Sequence, residues 1–87
     1  MPDNSGSVRS QTLIPYQLAQ AGLVRLAIYD MLGQQVAVLV NGEQKQGRYQ
    51  VTWDGRDQRG MPVSAGVYFY HLEAGPFSMV RKMALLK

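Results

Sequence analysis

The chain contains no cysteine in its 87 residues. That excludes a disulfide staple, a thiolate metal site and a cysteine nucleophile together. Histidine is nearly absent as well. His71 stands alone, and one imidazole cannot build the usual multi-histidine metal site. Charge is scarce: Asp, Glu, Lys and Arg make up 17% of the chain, against about 25% in ordinary domains. The polar surface must rest on Gln, Ser, Thr and Gly. Long apolar runs are missing too. The longest, Val36 to Val40, has the size of a strand and falls far short of the ~20 residues of a membrane span. The opening Met-Pro-Asp-Asn-Ser-Gly-Ser lacks the charged and apolar regions of a signal peptide. For an exported chain, the signal would lie upstream in a longer protein.

What is present is enough for one packed domain. Hydrophobic residues reach 46%, too many for a disordered segment. A domain this small buries only about 60–65% of its unfolded surface, so it has little room for a deep cavity. The net charge is +3, from nine Lys and Arg against six Asp and Glu. The cations are scattered (Arg9, Arg25, Lys45, Arg48, Arg56, Arg59), apart from a small group at Arg81, Lys82 and Lys87. Nucleic-acid binding calls for a more concentrated stripe, so no such partner is expected.

Residues 1–11 are small and polar and read as a linker or tail; residues 12–87 read as the domain. Period-two alternation then dominates. Ile14, Tyr16 and Leu18 mark a first strand, which Pro15 confines to a sheet edge. Val24, Leu26 and Ile28 mark a second. Gln35 to Val40 reads as a third, closed by an Asn41-Gly42 turn. Gly47 opens a fourth, with Tyr49, Val51 and Trp53 on one face. A glycine-rich loop from Asp54 to Gly66 allows one short pairing around Met61–Val63. Val67 to Ala74 and Phe77 to Leu86 complete the set. No segment carries a helical period. About seven short strands with turns between them predict an all-β antiparallel sandwich, with a small barrel as the alternative. The predicted core is Ile14, Tyr16, Val24, Leu26, Ile28, Val36, Val38, Val51, Trp53 and Tyr68.

Candidate chemistry is thin. His71 has Ser64 and Ser78 as possible partners, but there is no nucleophile elbow. Glu43 and Glu73 show no sign of flanking a cleft, as a glycosidase would need. Asp54 and Asp57 could offer oxygens to calcium, yet their run lacks the spacing of a calcium loop. Arg56 and Arg59 could neutralise them, and turn-shaping hydrogen bonds account for Asp and Gly in such a run. Tyr49, Trp53, Tyr68 and Tyr70 share faces with Val51 and Leu72, a pattern of core filling rather than of a sugar-stacking platform. Phe69 lies on the other face and is the aromatic better placed for exposure. No catalysis, metal or cofactor is predicted.

The motifs in order are Val24-Arg25-Leu26-Ala27-Ile28-Tyr29-Asp30-Met31-Leu32-Gly33, Gly47-Arg48-Tyr49-Gln50-Val51-Thr52-Trp53-Asp54-Gly55, Gly60-Met61-Pro62-Val63-Ser64-Ala65-Gly66-Val67-Tyr68, and Arg81-Lys82-Met83-Ala84-Leu85-Leu86-Lys87. Together they resemble the type A C-terminal sorting domain of the type IX secretion system. They are also similar to the immunoglobulin-like domain of flagellar hook-capping proteins. The resemblance spans residues 12–87. It implies an immunoglobulin-like sandwich and a non-catalytic label on a larger secreted protein, often a Bacteroidota hydrolase. It also implies transit through the periplasm and recognition by an outer-membrane translocon. A sortase-like step then leaves the passenger on surface lipopolysaccharide. Asp30, Gly33, Gly47, Trp53, Asp54, Gly55, Gly66 and Tyr68 would be motif residues of structural weight. Arg81, Lys82 and Lys87 would meet the machinery, with the domain monomeric. The Asn-Pro-rich segment usual before the first strand is missing: Val8 to Thr12 stands in its place. The alternatives are a carbohydrate-binding module of a polysaccharide hydrolase, or a structural module of a hook-capping assembly.

Overall fold

The computed structural model describes residues 11–86, and within them the chain is all strand and turn. Six strands follow in order: β1 (Thr12–Leu18), β2 (Gly22–Tyr29), β3 (Gln35–Gln44), β4 (Gly47–Trp53), β5 (Gly66–Ala74) and β6 (Phe77–Leu85). They form two antiparallel sheets, β1-β4 and β3-β2-β5-β6. The sandwich is thus as the alternation predicts, with six strands rather than about seven. The anticipated pairing in the long loop shrinks to a single bridge between Arg56 and Pro62. The tail assigned to residues 1–11 and the terminal Lys87 fall outside the described residues, except for exposed Gln11.

The core forms because alternate residues face the opposite sheet. Ile14, Tyr16 and Leu18 from β1 meet Val24, Leu26 and Ile28 from β2, with Trp53, Tyr68, Tyr70, Leu72 and Leu85 closing the layer. No buried residue is polar, and no buried side-chain N or O lacks a partner among the described residues. Pro15 lies, as expected, on a strand with one partner only, opposite Gln50.

Strand β3 departs from the sequence expectation in two ways. Strict alternation would put Val36 and Val38 on the inner face. The β2–β3 register instead shifts twice, between Leu26 and Ala27 and between Ile28 and Tyr29. Each shift inserts an extra residue on β3, and a bulge of this kind turns the following side chains to the other face. Ala37 and Val40 thereby pair with the buried Ile28 and Leu26. Val38 pairs with Ala27 on the outer face, while Val36 stays half-buried against the core. The second departure is the missing turn at Asn41-Gly42. Both residues stay in the ladder opposite Arg25 and Val24, and the strand runs on to Gln44. The reason is that the next strand joins the other sheet. The chain must reach the edge of the sandwich before it crosses, so a tight hairpin at Asn41-Gly42 would return it to the wrong layer. At the far end the Tyr16 hydroxyl donates to Gln44 Oε1, which ties this extension to β1.

Candidate functional site

Asp30 shapes the hairpin between β2 and β3. Its Oδ1 accepts from the backbone N–H of Leu32 and of Gln34, both at 2.9 Å. The Gly33 N–H returns to the Asp30 carbonyl, and the Asp30 N–H reaches the Gln34 carbonyl, each at 3.0 Å. Gly33 takes φ +83°, as the last position of such a three-residue loop requires. The same unit recurs at Asp57-Gln58-Arg59-Gly60-Met61. There Asp57 Oδ1 accepts from Arg59 and Met61, both at 3.0 Å. The Gly60 and Asp57 N–H groups make the matching backbone bonds at 2.9 and 2.8 Å, and Gly60 sits at φ +84°. One Asp-x-x-Gly turn is therefore built twice. Asp57 thus shapes a turn as expected, and the repeated Asp-x-x-Gly spacing is the sequence signal for the second copy.

The second copy also closes a sheet edge. The Gln58 N–H donates to the Val36 carbonyl at 2.9 Å, and its Oε1 accepts from the Val38 N–H at 2.8 Å. The loop thus occupies the free side of β3, a common way to shield an edge.

The carboxylates considered for calcium have other engagements. Arg56 Nε lies 3.6 Å from Asp54, and Arg59 Nη2 lies 3.6 Å from Asp57. No three acidic or histidine side chains among the described residues gather to hold a metal ion. The Met61 N–H is the main cause holding the Asp57 carboxyl below its ordinary range, aided by Arg59. A carboxyl with a depressed folded pKa stabilises above its unfolded value, near 3.9, and loses that contribution as pH falls through the folded value. Asp57→Asn is therefore expected to flatten the loss of stability as pH falls below about 4. Urea midpoints across that range check this, and an unchanged slope would remove Asp57 as a source.

Trp53 and Tyr68 hold the loop to the core. Their rings meet edge to face at 5.1 Å, a favoured aromatic geometry. The Trp53 indole N–H donates to the Arg56 carbonyl at 3.0 Å, and the Tyr68 hydroxyl donates to the Ser64 carbonyl at 2.7 Å. Between them lies buried Gly55 at φ +76°, whose carbonyl accepts from the Val63 N–H. Gly66 and Gly47 enter their strands at φ +151° and +153°, conformations that side chains rarely adopt. The motif residues therefore converge on the turns and on the seam where the long loop meets the core.

Elsewhere the groups stay apart. His71 and Ser78 share a hydrogen bond of 2.8 Å on the outer face, and no acid completes a triad in that contact. Glu73 faces Arg25 at 3.9 Å, while Glu43 lies opposite Leu23. Both are on the outer face of the four-stranded sheet, Glu43 on β3 and Glu73 on β5. That face also carries half-buried Tyr29, Phe69 and His71. The Tyr29 and His71 rings are tilted 49° to each other, and Arg25 donates to the Tyr29 hydroxyl at 3.2 Å. Arg81 and Lys82 are both exposed on β6, opposite Tyr70 and Phe69 respectively. They point to opposite faces of the sheet and make no joint pocket.

A search of curated proteins finds no match. Among solved structures, the crystal structure of FlgD from P. aeruginosa aligns with a TM-score of 0.68 at 22% identity. The alignment covers 88% of this chain and 62% of that one, so the chain spans less than two thirds of that protein. The likeness is one of fold. Residues 3–75 match the family model described as the FlgD Ig-like domain, and the chain belongs to that family.

Proposed function

We propose that this chain is a non-catalytic Ig-like module of a hook-capping-type assembly, carried in a longer protein as a folded block with a contact surface. The observation that carries this reading is the family itself. The use of polar groups agrees with it: Asp30 and Asp57 form turns, and Asp54 and Glu73 face arginines. Deleting residues 12–86 from the full-length protein in its own host tests the reading. The expected result is a parent protein that is made but leaves no completed assembly in electron micrographs. Normal assemblies would overturn it.

A second reading, sorting by the type IX machinery, draws support from the order of the four motifs and from exposed Arg81 and Lys82 on the outermost strand. In it, an outer-membrane translocon takes the folded domain from the periplasm, and a sortase-like step moves the passenger to lipopolysaccharide. Fusing the whole chain to a reporter in a bacterium with that machinery separates the two. Surface display favours sorting, and periplasmic retention favours the structural module.

A further inference from the structure

Each sheet has two outer strands, and the four free edges are treated differently. β1 carries Pro15, which has no N–H to give to a ladder. β3 is occupied by Gln58. β4 is seven residues long and turns Arg48, Gln50 and Thr52 outward. β6 is nine residues long, pairs only with β5 among the described residues, and leaves Phe77 and Val80 more than half exposed. A long apolar edge of this kind invites another strand.

The guard on β6 is a pair of cations at its midpoint. Arg81 is the fifth of the nine residues from Phe77 to Leu85. Two copies pairing antiparallel about that midpoint would set Arg81 against Arg81, with both Lys82 side chains one position away. Like charges directly opposite destabilise a ladder. The same cations favour an acidic strand. An antiparallel segment beside β6 would set one residue against Arg81, the preceding one against Lys82, and its flanking residues against Val80, Met79 and Met83.

We infer that β6 is a docking edge for an extended segment of a partner protein in which two adjacent acidic residues are flanked by apolar ones. The main chain supplies the hydrogen bonds, and the alternating side chains supply the choice of partner. The inference rests on reading the chain as a contact module and names the contact. The family match ends at residue 75, before β6, so it leaves the use of this edge open.

The probe is a capped synthetic peptide, Val-Val-Glu-Glu-Val-Val with neutral polar ends, titrated into the whole chain. Amide shifts and hydrogen exchange are read by NMR. The expected result is protection gained along Phe77–Leu85, with a Lys-Lys version of the peptide about tenfold weaker or worse. The double variant Arg81→Glu, Lys82→Glu should reverse that preference. Both side chains are exposed, and circular dichroism confirms that the variant stays folded. Alternate N-methylation of the peptide should abolish binding. The inference is overturned if the peptide does not bind, if protection falls on another strand, if the double variant keeps the original preference, or if the free chain already dimerises through β6. Loss of assembly on deleting the module, together with no peptide binding, would keep the module reading and reject this edge as its contact.

Discussion

Trp53→Ala is expected to lower the stability of this domain by about 3–5 kcal/mol, the usual cost of emptying a large aromatic site. Trp53 is 1% exposed and is the largest of the fully buried side chains. Its loss opens a cavity against Tyr68 and leaves the Arg56 carbonyl without its indole donor. Small domains have about 5 kcal/mol or little more in total, so most of the margin goes. The midpoint of thermal unfolding should fall by more than about 10 °C. Leu13→Ala is the control, since Leu13 is 59% exposed and such surface changes stay within about 0.5 kcal/mol. If the two variants unfolded at similar temperatures, Trp53 would not hold the loop to the core.

Removing residues 81–87 is expected to unfold the domain outright. The cut takes Arg81 to Leu85 out of the β5–β6 ladder. It also removes Leu85, which is 1% exposed, and Met83, which packs on the core. A buried leucine alone is worth about 2–5 kcal/mol, and the inner face of Tyr68 would then meet water. Far-ultraviolet circular dichroism and urea titration should show no cooperative transition. A truncated chain that still unfolded cooperatively near the wild-type midpoint would refute this. The consequence for function is practical. A passenger that fails to be sorted after such a cut reports lost folding, whatever the role of the cations. Charge reversal at Arg81 and Lys82 keeps the strand and isolates their role.

Five of the six strands were legible because their two faces differ in chemistry. Ile14, Tyr16 and Leu18 alternate with Leu13, Pro15 and Gln17, and Tyr68, Tyr70 and Leu72 are set off by turns on both sides. β3 was harder for a definite reason. Val36 to Val40 is apolar throughout, so nothing in the run says which residues bulge, and only pairing with β2 decides it. Asn41-Gly42 misled because a hairpin signal is local, while the choice between returning in one sheet and crossing to the other is not. The turn residues Asp30 and Gly33 could be assigned from their own spacing. The edge role of Gln58 could not, since its partners Val36 and Val38 lie some twenty positions earlier. The charges of Arg81 and Lys82 were plain in the sequence, and strand geometry alone separates them onto two faces.

The pairing of β1 with β4 alone also bears on the order in which the domain forms. Thr12 meets Trp53 across two intervening strands, β2 and β3, whereas β2–β3 and β5–β6 are joined by short turns. Closing a long loop must be offset before its contacts contribute, and local hairpins face no such delay. The two hairpins are therefore expected to form first, and the two long-range pairings, β1–β4 and β2–β5, close the sandwich after them.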